Sequence, residues 1–160
     1  MSPDPGGFRL LLVDLVGGGA GRWPLGVVEE SLGAASGELI TPLDRREFDL
    51  VLAGEKGRQD GALILTFGRI SCGREDWAPD ATDAAAVSRV PALATALRLL
   101  WTERHPEAFL FRNSVAVLGS SLVINLPAES AMVEESVPLI ARVARHALEK
   151  IAGDDAACGR

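Results

Sequence analysis

Apolar runs alternate along the chain with segments of helical spacing. "FRLLLVDLV" (8–16), "ELITP" (38–42), "GALILTF" (61–67) and "SLVINL" (121–126) are short and β-rich. The first, third and fourth are almost continuously apolar, as strands covered on both faces are. Between them, Leu25, Val28 and Leu32 share one face of 24–35, and Phe48, Val51 and Leu52 share one face of 45–56. The alternation predicts an α/β fold with a mainly parallel central sheet.

A helical block follows from Pro79 to Arg104, broken at "RVPA" because Pro91 disfavours helix at the residue before it. "AFLFRNSVAVLGSSLVINL" reads as two extended segments joined near Gly119, a hairpin added to the parallel sheet. Val133, Val137, Ile140, Ala144, Ala147, Leu148 and Ile151 then recur at helical spacings and predict a long amphipathic helix. Pro138 interrupts it. Either the helix kinks there, or Ser136 caps a second helix with Pro138 in its first turn.

Length and composition narrow the class. The 160 residues amount to one domain, with a core over 8–152 and loose tails at 1–6 and 154–160. Hydrophobic residues at 48% and charged residues at 24% are the ordinary globular balance. A net charge of −6 without a basic stripe argues against a nucleic-acid partner. The run at 8–16 is too short to span a bilayer, is interrupted by Arg9 and Asp14, and lacks the flanks of a signal peptide, so no membrane partner and a cytoplasmic location are expected. Cys72 and Cys158 lack the spacing of a disulfide framework or zinc site and read as free thiols.

In open parallel sheets the ligand crevice lies beyond the carboxyl ends of the strands. Four junctions qualify: "VGGGAGRWP", "TPLDRRE", "FGRISCGREDWAPDAT" and "NLPAES". The first is glycine-rich but has neither the phosphate-loop nor the dinucleotide spacing, and reads as a turn ahead of a helix with Pro24 in its first turn. The third is unusually long and carries Ser71, Arg74, Glu75 and Asp76, groups able to hold a phosphate or a magnesium ion. Several residues have structural readings as well. Asp44 is a natural N-cap, Asp76 a cap or dipole partner, and Asn125 a side chain tied to nearby backbone. Arg112 is either a phosphate clamp or a charge on an edge strand, and Trp77 and Trp101 read as core or interface anchors.

"ALILTFGRISCGREDWAPDAT" resembles the signature of the molybdopterin-binding family of the MoaB and MogA type, approximately "DLVLTTGGTGxxxRDVTPEAT". Thr66, Gly68, Asp76, Pro79, Ala81 and Thr82 match it. Further along, "VPALATALR" is similar to "lPGlaEalR", Arg112 to the arginine of "SR", "NLPAES" to "NLPGSP", and His146 to a histidine late in the last helix. "WPLGVVEESL" is similar to "GPLLAELL". The resemblance spans about residues 8–152.

It implies a three-layer α/β fold, a mostly parallel central sheet flanked by helices with a short hairpin added. It also implies molybdopterin as ligand, adenylyl transfer from ATP with magnesium, and a homotrimer. By the same resemblance, Asp76 and Asp44 would be catalytic, with Asp76 also the magnesium ligand. Gly68, Ser71, Arg112, Asn125, Pro127 and Ser130 would bind the pterin or nucleotide, with the "NLPAES" turn and the following helix N-terminus facing the anion.

The chain departs from that pattern. Arg69 and Ser71 replace two of the three glycines of "GGTG", and Ile70 stands between them. Leu43 replaces the first acidic residue after the second strand, and leucine can neither bind magnesium nor orient a phosphate. Glu75, Thr95 and Phe111 replace an arginine, a glutamate and a serine. A second reading therefore stands beside the first: a catalytically inactive scaffold or regulatory oligomer of the same fold, with Leu43, Ile70 and Phe111 suited to a protein contact or a less polar ligand. An enzyme with unrelated small-molecule chemistry on the same scaffold is a third, because fold does not fix function.

Overall fold

Strand β1 (Phe8–Asp14) carries Leu10, Leu11, Leu12 and Val13, none more than 2% exposed. It pairs in parallel with β2 (Ala34–Ile40) on one side and β3 (Ala62–Phe67) on the other. Strand β6 (Ser121–Leu126) continues the parallel set beyond β3, with Thr66 opposite Asn125. An antiparallel β5 (Val115–Leu118) and a two-residue β4 (Ser88–Arg89) complete the order β2-β1-β3-β6-β5-β4. The molecule is a computed structural model that describes residues 7–17 and 25–153, with residues 25–27 described by backbone alone.

Helices α1 (Leu25–Leu32) and α5 (Ser130–Ile151) pack together, with α4 (Pro91–Thr102) against α5, while α2 (Arg45–Lys56) packs on α3 (Ala78–Ala85). These are the outer layers of an α/β fold with a mostly parallel six-stranded sheet. Helix α2 shows how its sequence earns its place. Asp44 Oδ1 accepts from Glu47 N at 2.9 Å, and Glu47 Oε2 accepts from Leu43 N at 2.7 Å, so two otherwise unpaired donors at the helix start are satisfied. Phe48 and Leu52, four apart, are buried on its inner face and contribute roughly 1.5–3 kcal/mol each.

Several boundaries differ from the sequence reading. Helix α1 stops at Leu32, not 35, because Gly33 turns the chain at φ +68°. Strand β2 begins at Ala34, well before Glu38. It is an edge strand with half-exposed residues, so no apolar run announces it. The block from Pro79 to Arg104 is two helices with β4 between them, fixed by Val87 N to Val117 O (2.9 Å) and Val90 N to Val115 O (2.8 Å). Residues 106–110 form a 3-10 turn, not an extended segment. Pro106 opens it, and Ala108 alone of its residues is buried.

The hairpin at Gly119 is present as expected, with Leu118 opposite Ser121. Helix α5 runs unbroken past Pro138, and Ser136 caps nothing. Its hydroxyl donates to Met132 O at 2.6 Å and accepts from Trp101 Nε1 at 2.8 Å, both buried. No helix among the described residues is long and apolar enough to cross a membrane. The tails, Cys158, residues 18–24 with most of the first glycine-rich junction, and the side chain of Leu25 lie outside the described residues.

Candidate functional site

The carboxyl ends of β1, β3 and β6 meet at one edge of the sheet. Leu15 N donates to Phe67 O at 3.1 Å and Gly68 N to Leu126 O at 2.8 Å, which bind the three strand exits to one another. Gly68 sits at φ +93°. A Cβ there would lie 2.5 Å from Val16 Cγ1 and 3.6 Å from Ala128 Cβ, so the turns after β1, β3 and β6 converge on this glycine. Chain order reverses across β1, which lies between β2 and β3, and this is the switch point where open α/β sheets take ligands.

The long loop after β3 is folded on itself. Asp76 Oδ2 accepts from Gly73 N at 3.0 Å and Asp76 N donates to Gly73 O at 3.2 Å, closing the tip. Arg112 then clamps the loop from outside. It lies in the irregular segment between the 3-10 turn and β5, not on an edge strand as one sequence reading had it. Its Nε donates to Ser71 O at 3.0 Å, its Nη2 to Asp76 O at 2.5 Å, and its Nη atoms to both Asp80 carboxylate oxygens at 3.1 Å. The hydrogen bonds and charge of Arg112 hold the Asp80 carboxyl below the usual carboxylate range, and Asp80 raises the guanidinium in return. All of the Arg112 side chain's hydrogen-bond partners among the described residues belong to the loop and to α3.

Asn125 is also committed inside the protein. It is 0% exposed. Oδ1 accepts from Ser114 N at 3.0 Å, while Nδ2 donates to Thr66 Oγ1 at 2.9 Å and Thr82 Oγ1 at 3.0 Å. Its partners are thus a neighbouring strand, α3 and the segment entering β5, not the local turn expected from sequence. Pro127 is buried, Ser71 half-buried and Ser130 exposed at the first position of α5. Asp44 is exposed and caps α2.

The apolar residues expected to form a contact surface separate. Leu43 is 86% exposed, but Ile70 is buried in the core and Phe111 packs edge-on against Trp101 with ring centroids 5.9 Å apart. Trp77 is half-buried beside Phe48 at 5.8 Å, and Trp101 is fully buried, both as anchors.

Two further residues stand at this edge: Asp14, which has no functional role in the sequence reading, and Arg69, which replaces a glycine of the family pattern. Asp14, the last residue of β1, is 0% exposed. Its Oδ1 accepts from Val16 N at 3.0 Å and Gly17 N at 3.1 Å, and Oδ2 has no partner among the described residues. A buried carboxylate oxygen ordinarily takes a donor. The signal was visible as a single acid at the end of an apolar strand. Arg69 has φ +60°, the left-handed region, where a side chain costs about 1–2 kcal/mol relative to glycine. Its carbonyl accepts from Ala78 N at 3.1 Å and its Nε donates to Leu15 O at 3.3 Å.

Solved structures share this architecture over nearly the whole chain. The molybdopterin biosynthesis Mog protein from Mycobacterium ulcerans superposes with TM-score 0.79 at 23% identity, covering 94% of this chain and 100% of its own. The molybdopterin biosynthesis enzyme MoaB from Thermus thermophilus gives TM-score 0.70 at 28% identity over 92% and 98%, and a MogA structure gives 0.71 at 26% over 90% and 99%. The chain is MoaB/MogA-like. No protein-family model matches the sequence. In this MoaB/MogA-like chain, then, the scaffold and the convergence of strand exits coexist with an arginine in a backbone conformation that favours glycine, and with a leucine exposed after β2.

Proposed function

We propose that the chain takes part in molybdenum cofactor biosynthesis by binding a molybdopterin-type phosphate in the crevice over β1, β3 and β6, and that it adenylylates that phosphate. The observation that carries this reading is the contact of the β3 and β6 turns at Gly68, Leu126 and Ala128 within a MoaB/MogA-like fold. The terminal phosphate oxygen of the pterin attacks the α-phosphorus of ATP. A phosphoanhydride bond forms, the bond to the β-phosphate breaks, and pyrophosphate leaves. Such a transfer depends on positioning and charge neutralisation.

The residues present fit a magnesium ion that arrives with the triphosphate. No group of three His, Cys, Asp or Glu side chains gathers as a metal site among the described residues, and magnesium needs only one or two carboxylates beside phosphate and water. Asp76, with Oδ1 not used in its turn, would hold it, and the ion would neutralise charge on the phosphates. Asp44 would contribute the carboxylate oxygen not used in capping. Ser71, Pro127 and Ser130 shape the mouth, Gly68 lets the turns approach, and Asn125 and Arg112 hold the loops in register. A homotrimer is part of the same proposal.

The second reading, an inactive scaffold, is favoured by two observations: Leu43 is exposed in place of an acid, and Arg112 spends its donors within the protein. Calorimetric titration with magnesium ATP and then with molybdopterin separates the two. Binding of both with AMP transfer supports the enzyme, pterin binding without transfer supports a binder, and binding of neither sinks the ligand reading. Light scattering reports the assembly.

A further inference from the structure

We infer that Arg69 is an anion clamp that this chain has built into its ligand crevice, and that it takes a phosphomonoester or pyrophosphate group end-on through its two Nη atoms. The inference rests on the crevice proposed above for the location of the ligand, and not for the ligand's identity.

Among the described residues Arg69 is the one non-glycine with positive φ, at +60°. The strain is held from both sides: Gly68 N is tied to Leu126 O, and the Arg69 carbonyl accepts from Ala78 N at the start of α3. Strained backbone that the surroundings over-determine is a feature of ligand sites. The side chain is oriented as well. It leaves the end of β3 and crosses to the end of β1, where Nε donates to Leu15 O at 3.3 Å, so the half-buried guanidinium lies over the switch point between these two strands.

Fixing Nε leaves the Nη1 and Nη2 edge without a hydrogen-bond partner or ion pair among the described residues. Arg112, its neighbour at the loop, by contrast engages all three guanidinium nitrogens with Ser71, Asp76 and Asp80. An arginine anchored by one edge and open at the other presents a planar fork suited to a phosphate. Charge also selects an anion, since the Arg69 guanidinium forms no ion pair among the described residues. Asp14, the acid at the end of β1, accepts from Val16 N and Gly17 N through Oδ1 and forms no ion pair with Arg69. The replacement of glycine thus exchanges backbone approach for a charged side chain.

The test uses the full chain and inorganic pyrophosphate as probe, with calorimetry for affinity and thermal melting for structure. Arg69→Gly removes the fork and relieves the φ, so pyrophosphate affinity falls about ten- to a hundredfold while the melting temperature holds or rises. Arg69→Lys keeps the charge and loses the fork, and its affinity lies between the two. Arg58→Ala, at the opposite edge of the sheet, leaves affinity unchanged. Unchanged pyrophosphate affinity in Arg69→Gly, or no pyrophosphate binding by the parent at millimolar concentration, overturns the inference. So does a loss in Arg69→Gly that comes with a lower melting temperature and is fully restored by Arg69→Lys, which marks a structural strut. If the parent ignores molybdopterin yet binds pyrophosphate through Arg69, the clamp stands and the pterin reading falls. If molybdopterin binds equally to parent and Arg69→Gly, the pterin reading stands and the clamp falls.

Discussion

Replacing Asn125 by alanine tests whether one buried amide holds the site's supporting elements together. The substitution leaves the Ser114 N–H, itself nearly inaccessible, without its side-chain acceptor, and deprives Thr66 Oγ1 and Thr82 Oγ1 of a donor. An unsatisfied buried donor costs about 1–3 kcal/mol, and each lost neutral hydrogen bond about 0.5–1.5 kcal/mol. The two hydroxyls can rotate, which recovers part of the loss, so Asn125→Ala should destabilise by about 3 kcal/mol. Against a domain stability of about 5–15 kcal/mol this is large but survivable. With a urea slope of about 2 kcal/mol/M, the midpoint should fall by about 1.5 M, read by tryptophan fluorescence. Thr82→Val provides the second arm. Made in the Asn125→Ala background it should cost less than in the parent, by about 0.5–3 kcal/mol of coupling. A midpoint shift below about 0.3 M, or strictly additive effects, would refute the network as described.

Arg112→Lys loses the bidentate contact with Asp80, whose carboxyl is held below its usual range. The pair's contribution is therefore present above the unfolded carboxylate value, about 3.9, and is lost as pH falls through the lower folded value. The urea midpoints of parent and Arg112→Lys should converge as pH drops from 6 towards 3; a gap that is constant or widens contradicts the pairing. Leu43→Asp alters a fully solvated side chain and should change stability by less than about 0.5 kcal/mol, while raising any AMP transfer in a single-turnover assay. No increase in a protein that binds both ligands counts against the proposed chemistry. Ser136→Ala removes the buried acceptor of the Trp101 indole N–H and should cost about 1–3 kcal/mol with altered indole emission, which denaturation and fluorescence spectra check together.

The parallel sheet was readable because β1, β3 and β6 are buried on both faces, so their sequences are continuous apolar runs. The two edge strands were not. Strand β2 carries its polar and small residues half in solvent, and β4 is a polar dipeptide that registers only through the backbone of its partner. The location of the crevice followed from where the strands end, and the turns after β3 and β6 do meet there. Individual roles did not follow. Asn125 and Arg112 look alike in sequence as polar residues near turns, yet one is a buried hub and the other an external brace. The difference depends on which side chains lie opposite them in space. Ile70 looked like a loop residue open to a partner and is instead core, because the loop doubles back beneath Arg112 N, which donates to Ile70 O at 2.7 Å.

The double hold of Arg112 on Ser71 O and Asp76 O has an evolutionary consequence. It pins both feet of the exposed tip formed by Cys72, Gly73, Arg74 and Glu75, so the tip hangs from a closed frame rather than from the sheet. Substitutions at Cys72, Arg74 and Glu75 can accumulate without disturbing the platform beneath, whereas a Cβ at Gly73 would lie 2.7 Å from Asp76 Oδ2. A lineage can thereby change what the mouth of the crevice accepts in small steps, while selection on folding stays silent.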